Sequence, residues 1–237
     1  MDTMKEKMPH GALDLYKGEV PENYEMRCPV VMLTDKSSSM AGNAINELNK
    51  GLKIFQTQIQ NNEVASKRLE VAIITFGSEV EVIRDFSLFE GTAIETIEAS
   101  GATDMAAGLR VAMDRIKARN KWYRDSGLQS FKPYIIFITD GYPTSPVQEL
   151  SKVISEVQDA VNSKMFFFWA FGVDGADMNF LKTLTSEEFP PLKLKGQNFV
   201  EFFRWVVDSF SLITASRPGE KIDLTPKAER NPFQITV

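Results

Sequence analysis

Short apolar runs alternate with stretches of helical periodicity along this chain, and that alternation constrains its fold more than any other feature. The runs at 30–33, 69–76, 133–138 and 165–171 are each too short for a typical helix. Each is also closed by a turn signal such as Asp35-Lys36-Ser37, Gly77-Ser78, Asp140-Gly141 or Gly172. Between them, apolar residues recur at spacings of three and four. Ile45, Leu48, Leu52, Phe55 and Ile59 form one stripe, and Met105, Leu109, Ala112, Met113 and Ile116 a second. A third combines Val147, Leu150, Val153, Ile154, Val157 and Val161, and a fourth Phe199, Phe202, Phe203, Val206, Phe210 and Ile213, with Asn198 as N-cap. Glu79 to Arg84 alternates charged and apolar residues straight after a tight turn, which makes it an antiparallel edge strand. The pattern specifies an α/β fold: a doubly wound, mostly parallel sheet with one antiparallel edge and helices on both faces. A short last strand at 191–195 and a short helix at 178–184 complete it. The polar stretch 117–132, which carries Gly127, reads as an exposed excursion.

A length of 237 residues suits one such domain with two extensions. We place the domain at 28–214, an N-terminal arm at 1–27 in which Leu13, Leu15 and Tyr16 are available for packing, and a proline-bearing C-terminal tail at 215–237. The formal net charge of −5 gives no electrostatic reason to expect nucleic acid. The aromatic run Phe166-Phe167-Phe168 has no basic groove beside it and reads as core. The most apolar run, 165–171, is too short to span a bilayer, which takes about 20 residues as a helix. Cys28 is the only cysteine, so no intrachain disulfide forms, and it reads as a small buried residue. The start carries charges without an apolar core, unlike a secretory signal, and the expected location is cytoplasmic. His10, the only histidine, lies in the arm, which excludes a Ser-His-Asp triad or a His-bearing zinc site within the domain.

The chemistry gathers where strands end. In an open α/β sheet, ligands bind at the carboxyl ends of the strands. Asp35, Ser37 and Ser39 follow the first strand at alternate positions, Thr103 sits in a Gly-Ala-Thr turn, and Asp140 follows a later strand in Thr-Asp-Gly. Carboxylate and hydroxyl oxygens without nitrogen or sulfur suit a hard cation, with Mg²⁺ the first choice and Mn²⁺ or Ca²⁺ as alternatives. Two carboxylates against a dication leave little surplus negative charge, and a direct bond from only one of them would leave the ion electrophilic enough to take an acidic group from a partner. Asp104 reads as a helix-start residue.

Asp-x-Ser-x-Ser, Gly-x-Thr and Thr-Asp-Gly, in this order on these elements, resemble a von Willebrand factor A domain and its metal-ion-dependent adhesion site. Arg27-Cys28-Pro29, Glu70 to Gly77, Ile138 to Thr144, Gly172 to Met178 and Leu192 to Gly196 are similar to the bacterial tellurite-resistance TerY-like branch. The resemblance implies a non-enzymatic, metal-dependent protein-binding module of a stress-response or phage-defence system, with kinase-like or phosphatase proteins among its partners. It implies Asp35, Ser37, Ser39, Thr103 and Asp140 as metal ligands, and loops 142–145 and 174–177 as the rim. Two positions depart from the family pattern. Ser38 stands where Gly is usual. Lys36 stands where a small or apolar residue is usual, with its ammonium either near the cation or turned to solvent.

Two other readings stand beside this one. A metal-independent scaffold follows if Lys36 spoils the site. A Mg²⁺-dependent phosphoryl-transfer enzyme also places an Asp after the first strand, but it needs a second Asp two residues later, where this chain has Ser37.

Overall fold

The structure, a computed structural model, describes residues 14–89, 93–194, 196, 198–217 and 219–225. His10, Lys195 and the portions of the arm and tail readings at 1–13, 218 and 226–237 lie outside the described residues. Six strands form one sheet: β1 (Cys28–Asp35), β2 (Leu69–Phe76), β3 (Val80–Ser87), β4 (Tyr134–Thr139), β5 (Phe167–Gly172) and β6 (Leu192–Lys193). Their order is β3-β2-β1-β4-β5-β6, parallel throughout except for β3, which pairs antiparallel with β2. Successive crossovers run outward in opposite directions from β1, so the topological switch point lies between β1 and β4. That crevice is where such sheets bind ligands.

Period-two alternation builds the two cores. Val30 and Met32 of β1 face one side with Ile136 and Ile138 of β4, while Val31, Leu33, Ile135 and Phe137 face the other. On the first side pack α1 (Asn43–Gln60) and α6 (Phe199–Ala215), through Leu48, Leu52, Phe55, Phe199, Phe203 and Phe210. On the second pack α3 (Met105–Asp125), α4 (Val147–Asn162) and α5 (Met178–Leu184). A single helical turn, α2 (Ala65–Arg68), leads into β2. Gly51 allows α1 and α6 to approach closely, since a methyl group there would sit 2.3 Å from the Phe203 ring. Each fully buried Leu or Phe of these cores contributes about 2–5 kcal/mol against truncation to Ala.

Three of the predicted stripes bury as expected; in the α4 stripe Val153 and Val157 are buried, while Leu150, Ile154 and Val161 are only partly so. Val147 begins α4 but stays 79% exposed. The stretch 117–132 is not an excursion from its start: α3 runs on to Asp125 and buries Ala118, Arg119, Trp122 and Tyr123. The Arg119 guanidinium enters the interior because Glu70 accepts its Nε–H at 2.7 Å, Glu19 takes Nη1–H at 2.7 and 2.8 Å, and the Trp122 ring lies 3.9 Å away. Residues 14–27 lie across this end of the sheet. Tyr16 is buried against Phe86 and donates to Asp85 at 2.5 Å, while Arg27 donates to Glu70 at 2.8 Å. On the opposite face, Trp205 donates its indole N–H to Leu224 O at 2.8 Å, and Ile222 and Leu224 pack beside it.

Candidate metal centre

Three loops meet above the carboxyl ends of β1 and β4. The β1 loop is shaped by its own acid: Asp35 Oδ1 accepts the Ser37 N–H at 2.7 Å, and a 3-10 turn at Ser38–Met40 follows. That turn brings Ser37 Oγ within 2.9 Å of Ser39 Oγ, and Ser39 Oγ donates to Asp140 Oδ1 at 2.8 Å. Asp35 Oδ2 accepts from Thr139 Oγ1 at 2.6 Å. The register Thr34↔Ile138 places Thr139 beside Asp35, so this contact follows from the strand pairing.

The Thr103 loop is tied to the same place by its backbone. Ser38 N–H donates to Gly101 O at 3.0 Å, Ser100 N–H to Lys36 O at 2.7 Å and Asp104 N–H to Gly77 O at 2.9 Å. Gly101 has φ +80°, and a side chain there would meet Ser78 Oγ at 2.4 Å, so only glycine turns this corner. Asp104 is the N-cap of α3, accepting the Ala107 N–H at 3.2 Å.

The convergence is measured at Gly141. A methyl group on its Cα would lie 3.6 Å from Ser39 Oγ, 3.7 Å from Thr103 Oγ1 and 3.8 Å from Asp35 Oδ2. The structure thus brings Asp35, Ser39 and Thr103 together beside Gly141, with Ser37 and Asp140 joined to Ser39 by hydrogen bonds. Asp35 and Asp140 are both buried. Burial pushes the Asp35 carboxyl above the ordinary carboxylate range, and the charge of Asp140 pushes the same way against the hydrogen bonds from Ser37 and Thr139. Burial likewise raises Asp140 against its bond from Ser39. Among the described residues, no lysine or arginine forms an ion pair with either acid.

The two departures from the family pattern resolve simply. Lys36 turns away to the edge strand, where its ammonium sits 2.9 Å from Glu81. Ser38 is exposed and has no left-handed backbone, so its side chain is accommodated. Sequence reasoning placed Thr139 in the Thr-Asp-Gly turn and Thr144 and Ser145 in the rim, but not their hydrogen bonds to Asp35, Thr103 and Asp104. Thr139 was legible from strand register, whereas the other two act through loop contacts that no periodicity marks.

The donor set fits a hard divalent cation: two carboxylates and three hydroxyls, with no lysine or arginine paired to the acids among the described residues. Among the described residues there is no group of three or more His, Cys, Asp or Glu that could hold a metal ion, so a cation here would depend on the hydroxyls as well as on the two carboxylates.

The fold and site define a doubly wound α/β domain with an oxygen-lined crevice at its switch point. The von Willebrand factor type A domain model matches residues 30–202, and the chain belongs to that family. Its members are often protein-interaction modules. The chain is 29% identical over 168 residues to the human inter-alpha-trypsin inhibitor heavy chain H6, a match covering 67% of this chain but only 12% of that protein. The pilus adhesin SpaC of Lactobacillus rhamnosus GG superposes with a TM-score of 0.65 at 16% identity, over 81% of this chain and 31% of that one. A proximal thread matrix protein of the mussel byssus, solved with zinc in its adhesion motif, gives a TM-score of 0.52 at 14% identity, over 78% and 48% of the two chains. At these identities the likeness to both structures is one of fold. No described helix is long and apolar enough to cross a membrane.

Proposed function

We propose that the chain is a metal-dependent protein-binding module. Asp35, Ser37, Ser39, Thr103 and Asp140 hold a divalent cation, Mg²⁺ in the first instance, directly or through water. The ion supplies an electrophilic coordination position, and a carboxylate or phosphate of a partner protein takes it. The observation that carries the reading is the meeting of two buried carboxylates and three hydroxyls without a cationic side chain. Such a cluster lacks charge compensation until a cation enters. The adhesion-motif metal in the mussel protein supports the choice of site.

The protein's own groups orient the ligands. Ser37 N–H and Thr139 Oγ1 fix the two oxygens of Asp35, and Ser39 Oγ fixes one of Asp140. Tyr142, 65% exposed, and the turn at 174–177 form the rim on which a partner rests. Ser37, bonded to Ser39, stands where a phosphoryl-transfer enzyme needs its acid, which favours binding over turnover. Lys36, engaged by Glu81, gives no reason to regard the site as spoiled. The domain proper spans 28–214, with arms at 1–27 and 215–237. The motif similarities to the TerY-like branch support a cytoplasmic role in a bacterial stress-response or phage-defence system, beside kinase-like or phosphatase partners.

Calorimetric titration tests the assignment. Wild type should bind Mg²⁺ and gain about 2.7 kcal/mol of stability at a hundred-fold excess over Kd, while Asp35→Ala should keep the fold and show neither effect. Equal Mg²⁺ binding by the two proteins rules the site out. Partner capture with and without EDTA tests the metal dependence of binding.

A further inference from the structure

The loop after β4 does more than carry Asp140. Its next residues reach across to the start of α3 and grip the loop that carries Thr103. Thr144 Oγ1 accepts the Thr103 N–H at 2.9 Å, and Thr144 N–H donates to Thr103 O at 3.0 Å. The backbone of Thr103 is therefore held on both sides by one residue. Ser145 repeats the pattern one position on: its Oγ donates to Asp104 Oδ1 at 2.7 Å and accepts the Ala106 N–H at 3.0 Å. Ser145 is buried, and its partner Asp104 also caps α3.

We infer that Thr144 is a positioning residue for the cation site, setting the place of Thr103 Oγ1 relative to Asp140, with Ser145 and Asp104 as the anchor that keeps the two loops registered. This inference rests on the proposed metal site. The chemistry behind it is general. A neutral hydroxyl such as that of Thr103 is a weak ligand, held in a coordination shell by placement rather than by charge. Mg²⁺ tolerates little deviation from octahedral geometry. Thr103 and Asp140 come from separate crossovers, and consecutive hydrogen bonds from 144–145 to 103–106 make one rigid piece of the two loops before any ion arrives. Thr144 itself is exposed, so its contribution lies in geometry and not in core packing. Partners of metal ligands in general change affinity by about 10–100-fold when removed.

The test compares Mg²⁺ titrations and metal-free melting for wild type, Thr144→Val and Thr144→Ser. Thr144→Val keeps the shape and deletes the acceptor; it should weaken Mg²⁺ binding about ten-fold while the metal-free melting curve barely moves. Thr144→Ser restores the oxygen and should restore wild-type affinity, a rescue that a purely steric role would not give. Thr144→Ala, which lacks the same oxygen without a branched apolar group, replaces Thr144→Val should that variant fail to fold. Wild-type affinity in the variant lacking the oxygen, or loss of affinity in Thr144→Ser as well, overturns the inference while leaving the metal site standing. Absence of Mg²⁺ binding by wild type overturns the metal site, and this inference with it.

Discussion

Two buried acid clusters occupy opposite ends of the same sheet, and they are completed in opposite ways. At the amino end, Glu70 receives Arg27 Nε–H at 2.8 Å, Arg119 Nε–H at 2.7 Å and Tyr123 O–H at 2.6 Å. The chain provides its own cations there, and each carboxylate oxygen of Glu70 accepts from a guanidinium. At the carboxyl end, Asp35 and Asp140 receive hydroxyls and an amide but no cation. Burial without compensation raises the energy of a charged group, and burial with two guanidinium partners offsets much of that cost. The first cluster is closed and structural. The second is open only in having no counter-charge among the described residues, and on the proposed reading a cation beside Gly141 supplies it. The contrast teaches that burial of an acid says little by itself. What separates a structural acid from a binding acid is whether its counter-charge is encoded in the same chain.

The largest effect follows from breaking the closed cluster. Glu70→Leu leaves Arg27 and Arg119, each almost wholly buried, without their shared acceptor. Uncompensated buried charge costs about 3–5 kcal/mol. Urea denaturation should show a loss of that size, and added Mg²⁺ should not recover it. The matching change in the open cluster, Asp35→Ala, should behave in the reverse sense, sparing metal-free stability and abolishing the response to Mg²⁺. If Glu70→Leu were neutral, or if Mg²⁺ rescued it, the distinction between the clusters would collapse.

This distinction also explains what the sequence disclosed. The open cluster was legible because its residues sit at strand ends in short motifs. Asp35, Ser37 and Ser39 alternate after an apolar run, and Asp140 precedes a glycine. The sheet was legible for the same reason, since alternating runs and stripes are local. The closed cluster was not legible. Arg119 and Lys121 made the second half of α3 read as polar surface, although Trp122 and Tyr123 follow them directly and lie in the core. Neutralisation by Glu70 and Glu19, distant in sequence, allows a guanidinium inside, and no local pattern announces such a partner. Thr144 and Ser145 were legible only as rim residues for a related reason: their hydrogen bonds reach residues about forty positions earlier.

An intermediate effect sharpens the comparison from the open side. Gly141 has no left-handed backbone, and the contacts a methyl group would make, at 3.6–3.8 Å, are ordinary van der Waals distances. Gly141→Ala should therefore fold normally. The methyl group would nonetheless stand among Ser39, Thr103 and Asp35, in the space a hydrated ion and a partner's acid must share. We expect Mg²⁺ affinity to fall about ten-fold, equivalent to roughly 1.4 kcal/mol, with metal-free stability within about 1 kcal/mol of wild type. Undiminished Mg²⁺ binding would place the ion elsewhere than beside Gly141.

A comparable effect belongs to Tyr123, which joins Glu70 through its hydroxyl and is fully enclosed. Burial, first, and the adjacent Glu70 charge hold the Tyr123 phenol well above its ordinary value of 10.0. The sign of the resulting pH dependence is fixed by linkage. Below the unfolded-state value both states keep the proton and the full contribution of the group is present. Above it the unfolded chain releases a proton that the folded chain retains, so stability falls as pH rises, by about 1.4 kcal/mol per pH unit for one such group. Tyr123→Phe removes that proton and one charge-assisted hydrogen bond, so near neutral pH it should cost about 1–2 kcal/mol. Above pH 10 the gap to wild type should narrow, because the wild type alone bears the alkaline penalty at this position. Parallel stability curves from pH 8 to 11 would mean that Tyr123 does not stay protonated in the folded state, and that the amino-end cluster is less closed than its hydrogen bonds imply.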